Sequence, residues 1–409
     1  INSTGFSNSS HGIYLSSSSN NTIINSNGTS RTSGQGIYLY FSSNNNFINS
    51  TGFSNSSHGI YLYSSSNNTI INSNGTSRTS GQGIYLGSSS NNTFINSTGF
   101  SLTSGQGIYL IGSNYNTFIN STGFSNSSHG IYLYTSSNNA IINSTGFSPT
   151  SGYGIYLFSS SNNAIINSNG TSLTSGYGIH LIGSNNNTFI NSTGVSNSSH
   201  GIYLSSSSNN TIINSNGTSR TSGQGIYLYS SSNNNTIINS TGFSNSNSGI
   251  YLDSSSNNTI INFIGTSLTS GRGIYLMGSN YNTIINSTGF SNSSYGISLS
   301  SSSNNTFINS TGSSNSSWGI DFTSNSNDNT FINSTRVANS QYGIVIQGSS
   351  NNLFINCVNA LNSNNSVQRF YSNIMQNISS YGNIGWWPLI TSNGSDVTSL
   401  AATAWYNGT

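Results

Sequence analysis

Lysine and glutamate are absent from this chain, and six Arg and four Asp are the only charged side chains among its 409 residues. The scattered Arg build no basic face, so no nucleic acid is expected as a partner. One cysteine, Cys357, excludes disulfide staples within the chain. No run of 18 apolar residues occurs, so no membrane span is expected. An initiator Met and a signal-peptide pattern are also missing. The chain opens on Ile1-Asn2-Ser3-Thr4-Gly5-Phe6, which matches Ile48 to Phe53. The expectation is that it starts within a repeat, as a trimmed product or a slice of a longer array.

Asn, Ser, Thr and Gly dominate what is present. That composition usually reads as disorder. Here Ile, Phe and Tyr recur at fixed intervals, which a disordered tract does not need. Gly-Ile appears fifteen times at spacings of 23 or 24 residues, from Gly12-Ile13 to Gly343-Ile344. Such a period marks a repeat architecture. The unit is too short for a propeller blade and carries no helical period. It suits one turn of an all-β parallel β-solenoid with about three short strands per rung.

The rung from Gly59 to Gln82 shows the logic. In Gly59-Ile60-Tyr61-Leu62-Tyr63, alternation puts Ile and Leu on one face and Tyr on the other. Ile is present in all fifteen rungs, so its face is the interior, where each such side chain contributes roughly 1.5–3 kcal/mol. In Asn68-Thr69-Ile70-Ile71-Asn72 one apolar residue faces in and the other out. The slot that varies between Ile and Phe (Ile23, Phe47, Ile70, Phe94, Phe118) suits a packed interior, and the neighbouring constant Ile stays unassigned. A third strand carries Gly-Phe (Phe6, Phe53, Phe124) or Gly-Thr (Thr29, Thr76, Thr218). Asn columns stacked about 4.8 Å apart are expected to hydrogen-bond along the axis. The Asn-Gly pairs at Asn27, Asn74, Asn169 and Asn216 are read as tight corners with positive backbone angles.

This pattern, Asn-Asn-Thr-Ile followed by Gly-Ile-Tyr-Leu, resembles the parallel β-helix repeat of the NosD-like and archaeal surface-protein families over about residues 1–360. The resemblance implies a right-handed, three-sided parallel β-helix of about 15 rungs. It does not choose a function, since such repeats serve in enzymes, adhesins and surface layers. Residues 361–409 lose the period and are expected to form a cap or assembly segment. Trp386, Trp387 and Trp405 are its candidate contacts, and head-to-tail docking on a neighbour's first rung is one use for it.

Chemistry-bearing residues are few. Hydrolytic acid pairs sit about 5–10 Å apart. Asp253 and Asp321 are three rungs apart, about 14 Å, and Asp328 lies in another part of its rung. No catalytic residue and no enzyme activity is expected. His11, His58, His129 and His200 share one column just before the repeat Gly, but stand two or three rungs apart, too far to hold one metal. They read as corner-filling residues interchangeable with Gln and Tyr, and no metal or cofactor is expected.

The sharper feature is the outward column Tyr14, Tyr38, Tyr61, Tyr85, Tyr109, Tyr132, Tyr156, Tyr203, Tyr227, Tyr251 and Tyr275, flanked by Tyr40, Tyr63, Tyr134, Phe158 and Tyr229. It is read as an exposed stripe for packing against another chain or for stacking on sugar rings. Asn8, Asn55, Asn126, Asn197, Asn292 and Asn315 are the candidate N-glycosylation sites at outer corners. The resulting expectation is a glycosylated extracellular or cell-surface structural protein that assembles with itself into a layer, sheath or fibre. An adhesin or carbohydrate-binding protein, with glycans as its partners, is the alternative. Ice binding is disfavoured because no regular Thr-x-Thr column appears.

Overall fold

The computed structural model describes residues 2–338 and 343–361, with short strands at Val367–Gln368, Ile374–Gln376 and Ser379–Tyr381. From residue 359 onward only the backbone is described. The Trp386, Trp387 and Trp405 tail lies outside the described residues. The chain divides into two compact units, residues 1–220 and 221–409. All regular structure among the described residues is β-strand, and no helix there is long and apolar enough to cross a membrane.

In the first unit every rung repeats three strands, for example Ile60–Tyr63, Thr69–Ile71 and Asn74–Ser77. Each strand pairs in parallel with its equivalent one rung on. Ile60, Tyr61 and Leu62 lie opposite Ile84, Tyr85 and Leu86; Thr69, Ile70 and Ile71 lie opposite Thr93, Phe94 and Ile95. Three parallel sheets result, and like residues stack on like. The second unit repeats the plan, with Ile250 opposite Ile274 and Thr259 opposite Thr283. Past residue 361 the three short strands still pair in parallel, Ser379 with Val358 among them.

The interior is built as alternation requires. The Ile and Leu columns of the first strand are buried, as are Ile70, Phe94 and Phe118 of the second. The constant Ile beside them (Ile71, Ile95, Ile119) faces outward and is half-buried.

Two buried ladders line the corners. Each inner Asn amide donates to the Oδ1 of the Asn one rung on, as from Asn45 to Asn68 (3.1 Å) and from Asn68 to Asn92 (3.0 Å). The same oxygen accepts the backbone N–H of the preceding Asn. Buried Ser hydroxyls do likewise, Ser65 Oγ accepting from Ser42 N at 2.9 Å. These bonds satisfy polar groups where the chain turns away from sheet pairing.

The Asn-Gly pairs do not form the corners. Asn74 and Gly75 open the extended third strand, and the positive backbone angles fall instead at Ser64, Asn67 and Asn72 (φ 46°, 56° and 50°). Gly75 is required for a different reason. A Cβ there would lie 2.1 Å from the carbonyl oxygen of Gly83, and one on Gly59 would lie 2.1 Å from the backbone nitrogen of Thr76. The two backbones touch at this line, so only hydrogen fits. Arg336 breaks the line in the second unit, opposite Gly312, and its buried guanidinium lies 5.0 Å from the Phe354 ring centroid.

Candidate functional site

The outer face of the Gly-Ile sheet carries the chemistry that distinguishes one rung from the next. In the first unit the tyrosines form one continuous stack from Tyr14 to Tyr156, continued by His180 and Tyr203. Centroids are 4.6–5.3 Å apart and planes lie within 7–19°. In the second unit Tyr227, Tyr251 and Tyr275 stack at 4.9 and 4.6 Å. Strand pairing brings the sequence-predicted tyrosines together within each unit, because identical positions fall in register.

The stripe points outward, yet it is less open than parity alone suggests. Tyr14 is 49% exposed, most of the others are half-buried, and Tyr156 is only 8% exposed. Each inner ring has both faces covered by the rings above and below. A second column at the preceding corner packs edge-on against it. His58 meets Tyr61 at 4.9 Å and 69°, and His129 meets Tyr132 at 5.0 Å and 68°. Tyr153 and Tyr177 stand in that corner column too, stacked at 4.9 Å. What remains accessible is a row of phenol edges and hydroxyls. Burial, and then the neighbouring phenols, push the hydroxyls of Tyr38 and Tyr109 up to about 12.

Three of the corner histidines accept backbone N–H groups. Nδ1 of His58 accepts the backbone N–H of Gln82 at 3.1 Å, and Nδ1 of His129 that of Tyr153 at 3.0 Å. Burial holds His58, His129 and His200 down at about 4 and His180 at about 3. Among the described residues no three His, Cys, Asp or Glu gather to hold a metal.

Among the described residues the acids stand in three separate columns. Asp253 accepts from the Tyr227 hydroxyl at 3.2 Å. Asp328 is an exposed corner residue. Asp321 is buried in the tyrosine column, where Ser298 Oγ donates to its Oδ2 at 3.1 Å. Burial raises its carboxyl to about 6, against the opposing pull of Ser298 and Arg272. Register places Asp253 and Asp321 three strand steps apart, about 14 Å. That separation is too wide for two carboxylates to act on one bond.

Of the candidate glycan acceptors, Asn8, Asn126, Asn292 and Asn315 are exposed, while Asn55 and Asn197 are half-buried; all six lie just after the third strand. The Asn315 amide donates to Asn292 Oδ1 at 2.9 Å, which ties these two rungs together at this corner.

Sequence reasoning left one surface unread. The outer face of the second sheet carries an outward Thr and an outward Ile on nearly every rung, as in Thr69 and Ile71 or Thr93 and Ile95. The signal was the constancy of one Ile beside a slot that varies between Ile and Phe.

Parallel three-sheet rungs with stacked Asn, Ser and aromatic columns agree with the family comparison. A profile described as "Right handed beta helix region" matches residues 1–122, 106–264 and 235–383. The chain belongs to the right-handed β-helix family. No curated protein matches this β-helix significantly. Solved structures similar to it include the periplasmic alginate epimerase AlgG, at 13% identity and TM-score 0.38, with 79% of this chain and 77% of that one covered. Tailspike protein 3 of bacteriophage CBA120 gives 9% identity and TM-score 0.32, covering 90% of this β-helix and 62% of that chain. PfbA, a surface adhesin of Streptococcus pneumoniae, gives 12% identity and TM-score 0.27, with 90% and 87% covered.

Proposed function

We propose that this β-helix is an extracellular structural protein, the self-associating subunit of a surface layer, sheath or fibre. The observation that carries the reading is that its repeated polar and aromatic groups are already engaged with one another. Inner tyrosine ring faces lie against other tyrosines, inner Asn amides bond to the next Asn, and the corner His accept backbone N–H groups. A sugar stacks on an open aromatic face, and a hydrolytic site needs convergent acids. Neither is offered repeatedly here, whereas the same uncharged outer surface is. Glycans on exposed corners such as Asn8 and Asn126 would keep such a nearly uncharged surface soluble.

Sedimentation velocity of the purified chain over a hundredfold concentration range, with electron microscopy of the concentrated sample, tests the reading. Growth into ordered oligomers or filaments is expected. A chain that stays monomeric throughout, or that binds defined glycans on an array in its monomeric form, overturns it.

A further inference from the structure

Most strands of the second sheet present a Thr-x-Ile pair to the outside. In the first unit the outward Ile column runs unbroken from Ile24 to Ile213, half-buried throughout. The Thr column beside it gives way to Asn46, Ala140 and Ala164. Along the far border runs a column of exposed Asn, in which several amides donate to the previous rung, as Asn72 to Asn49 at 3.1 Å and Asn96 to Asn72 at 3.0 Å. These three columns contain no charged side chain.

Resting on the self-association reading above, we propose that this Thr-x-Ile face is the surface through which the protein docks onto a second copy of itself. Three features of the face select that occupant. First, from Ile24 to Ile355 the column that never fails is the apolar one. Hydroxyls are dispensable at Ala140 and Ala164, while Ile142 and Ile166 remain. A surface built to hydrogen-bond a sugar lattice or ordered water needs its hydroxyls; one built to exclude water needs its isoleucines.

Second, the columns repeat at the strand spacing of about 4.8 Å. A partner can keep side chains interleaved over many rungs only if it has the same repeat, and a second copy has it by construction. Interdigitated columns of this kind form the dry interfaces between stacked sheets. Third, the face is uncharged, so pairing it with itself sets no like charges opposite one another. The Asn border can keep its amides in water, which leaves the apolar Ile column as the part with most to gain from being covered.

The test places charge on this face alone. Ile95→Lys with Ile142→Lys puts two cations in the Ile column without touching the buried Phe94 or Ile141. Ile111→Lys with Ile182→Lys puts the same charge on outward positions of the Gly-Ile sheet. The natural chain, both Lys pairs and a milder Ile95→Thr, Ile142→Thr pair are compared by sedimentation equilibrium. Melting curves verify that each variant is folded.

The natural chain and the control pair are expected to associate alike. The Lys pair on the Thr-x-Ile face is expected to be monomeric, and the Thr pair to dissociate about tenfold more readily. The Thr pair decides the matter if the Lys pair does not fold. Association of both face variants as strong as that of the natural chain overturns the face while leaving self-assembly standing. A natural chain that is monomeric, or that is captured by insoluble polysaccharide through Ile95 and Ile142, overturns both.

Discussion

At the scale of single residues, the buried titratable groups of the two units respond to pH in opposite directions. His58 and His129 fill a corner in the neutral form, with Nδ1 accepting a backbone N–H, and burial lowers each from 6.5 to about 4. The folded chain therefore binds these protons less readily than the unfolded chain. Their contribution is intact above about 6.5 and is lost as pH falls from there through 4. Melting temperature is expected to drop between pH 7 and 4. The drop should shrink in a His58→Gln, His129→Gln variant, because Gln35, Gln82 and Gln106 already occupy the same column. An unchanged drop would locate the acid sensitivity elsewhere. Asp321 has the reverse sign. Its folded value is raised from 3.8 to about 6, so its contribution is complete below about 3.8 and lost as pH rises through 6. Asp321→Asn is expected to raise the melting temperature of the second unit at pH 7.5 and to leave it unchanged at pH 3.5. Differential scanning calorimetry at the two pH values reads the difference directly.

At the scale of the strand and the ladder, stability comes from neighbours one rung away. Asn116 Oδ1 accepts both the backbone N–H and the side-chain amide of Asn92, at 2.9 and 3.1 Å. Asn116→Ala removes that acceptor and leaves two buried donors without it. The expected cost is about 2–4 kcal/mol, measurable as a lower denaturant midpoint. A cost under about 0.5 kcal/mol would mean the ladder is decorative. This ladder was legible in the sequence because an amide repeating at the strand spacing has one obvious partner. The inward Ile60 and Leu62 were legible too, since a four-residue strand shows its alternation. Ile70 was legible from the variation of its slot between Ile and Phe, but Ile71 was not placed, because a three-residue strand with two adjacent apolar residues shows too little alternation to read. Asn74-Gly75 misled for a related reason. Its local preference is for a turn, but the demand at Gly75 is for a missing Cβ against the Gly83 carbonyl, a contact made across the rung. Parity placed Tyr61 and Tyr132 outward correctly. The packing of His58 and His129 against them depends on side-chain contacts across a corner, which periodicity does not encode.

At the scale of the whole molecule, the scarcity of charge sets how the protein meets its surroundings. With six Arg and four Asp in 409 residues, long-range repulsion between copies is weak, and nothing resembling a charged recognition patch is repeated from rung to rung. Copies that associate must therefore do so through apolar and hydrogen-bonding columns. Raising salt from 0.1 to 1 M shortens the screening length from about 10 to about 3 Å, which weakens any contact held by surface ion pairs. Here the association constant is expected to change by less than about threefold across that range. Sulfate, which is excluded from protein surfaces and strengthens apolar burial, is expected to drive assembly at lower protein concentration than chloride at equal ionic strength. Light scattering during parallel titrations with the two salts separates the cases. Dissolution of assemblies by 1 M sodium chloride would show that the few Arg and Asp hold the contacts after all, and would move the search for the interface from the Thr-x-Ile face to the rungs carrying Asp253, Arg272 and Asp321.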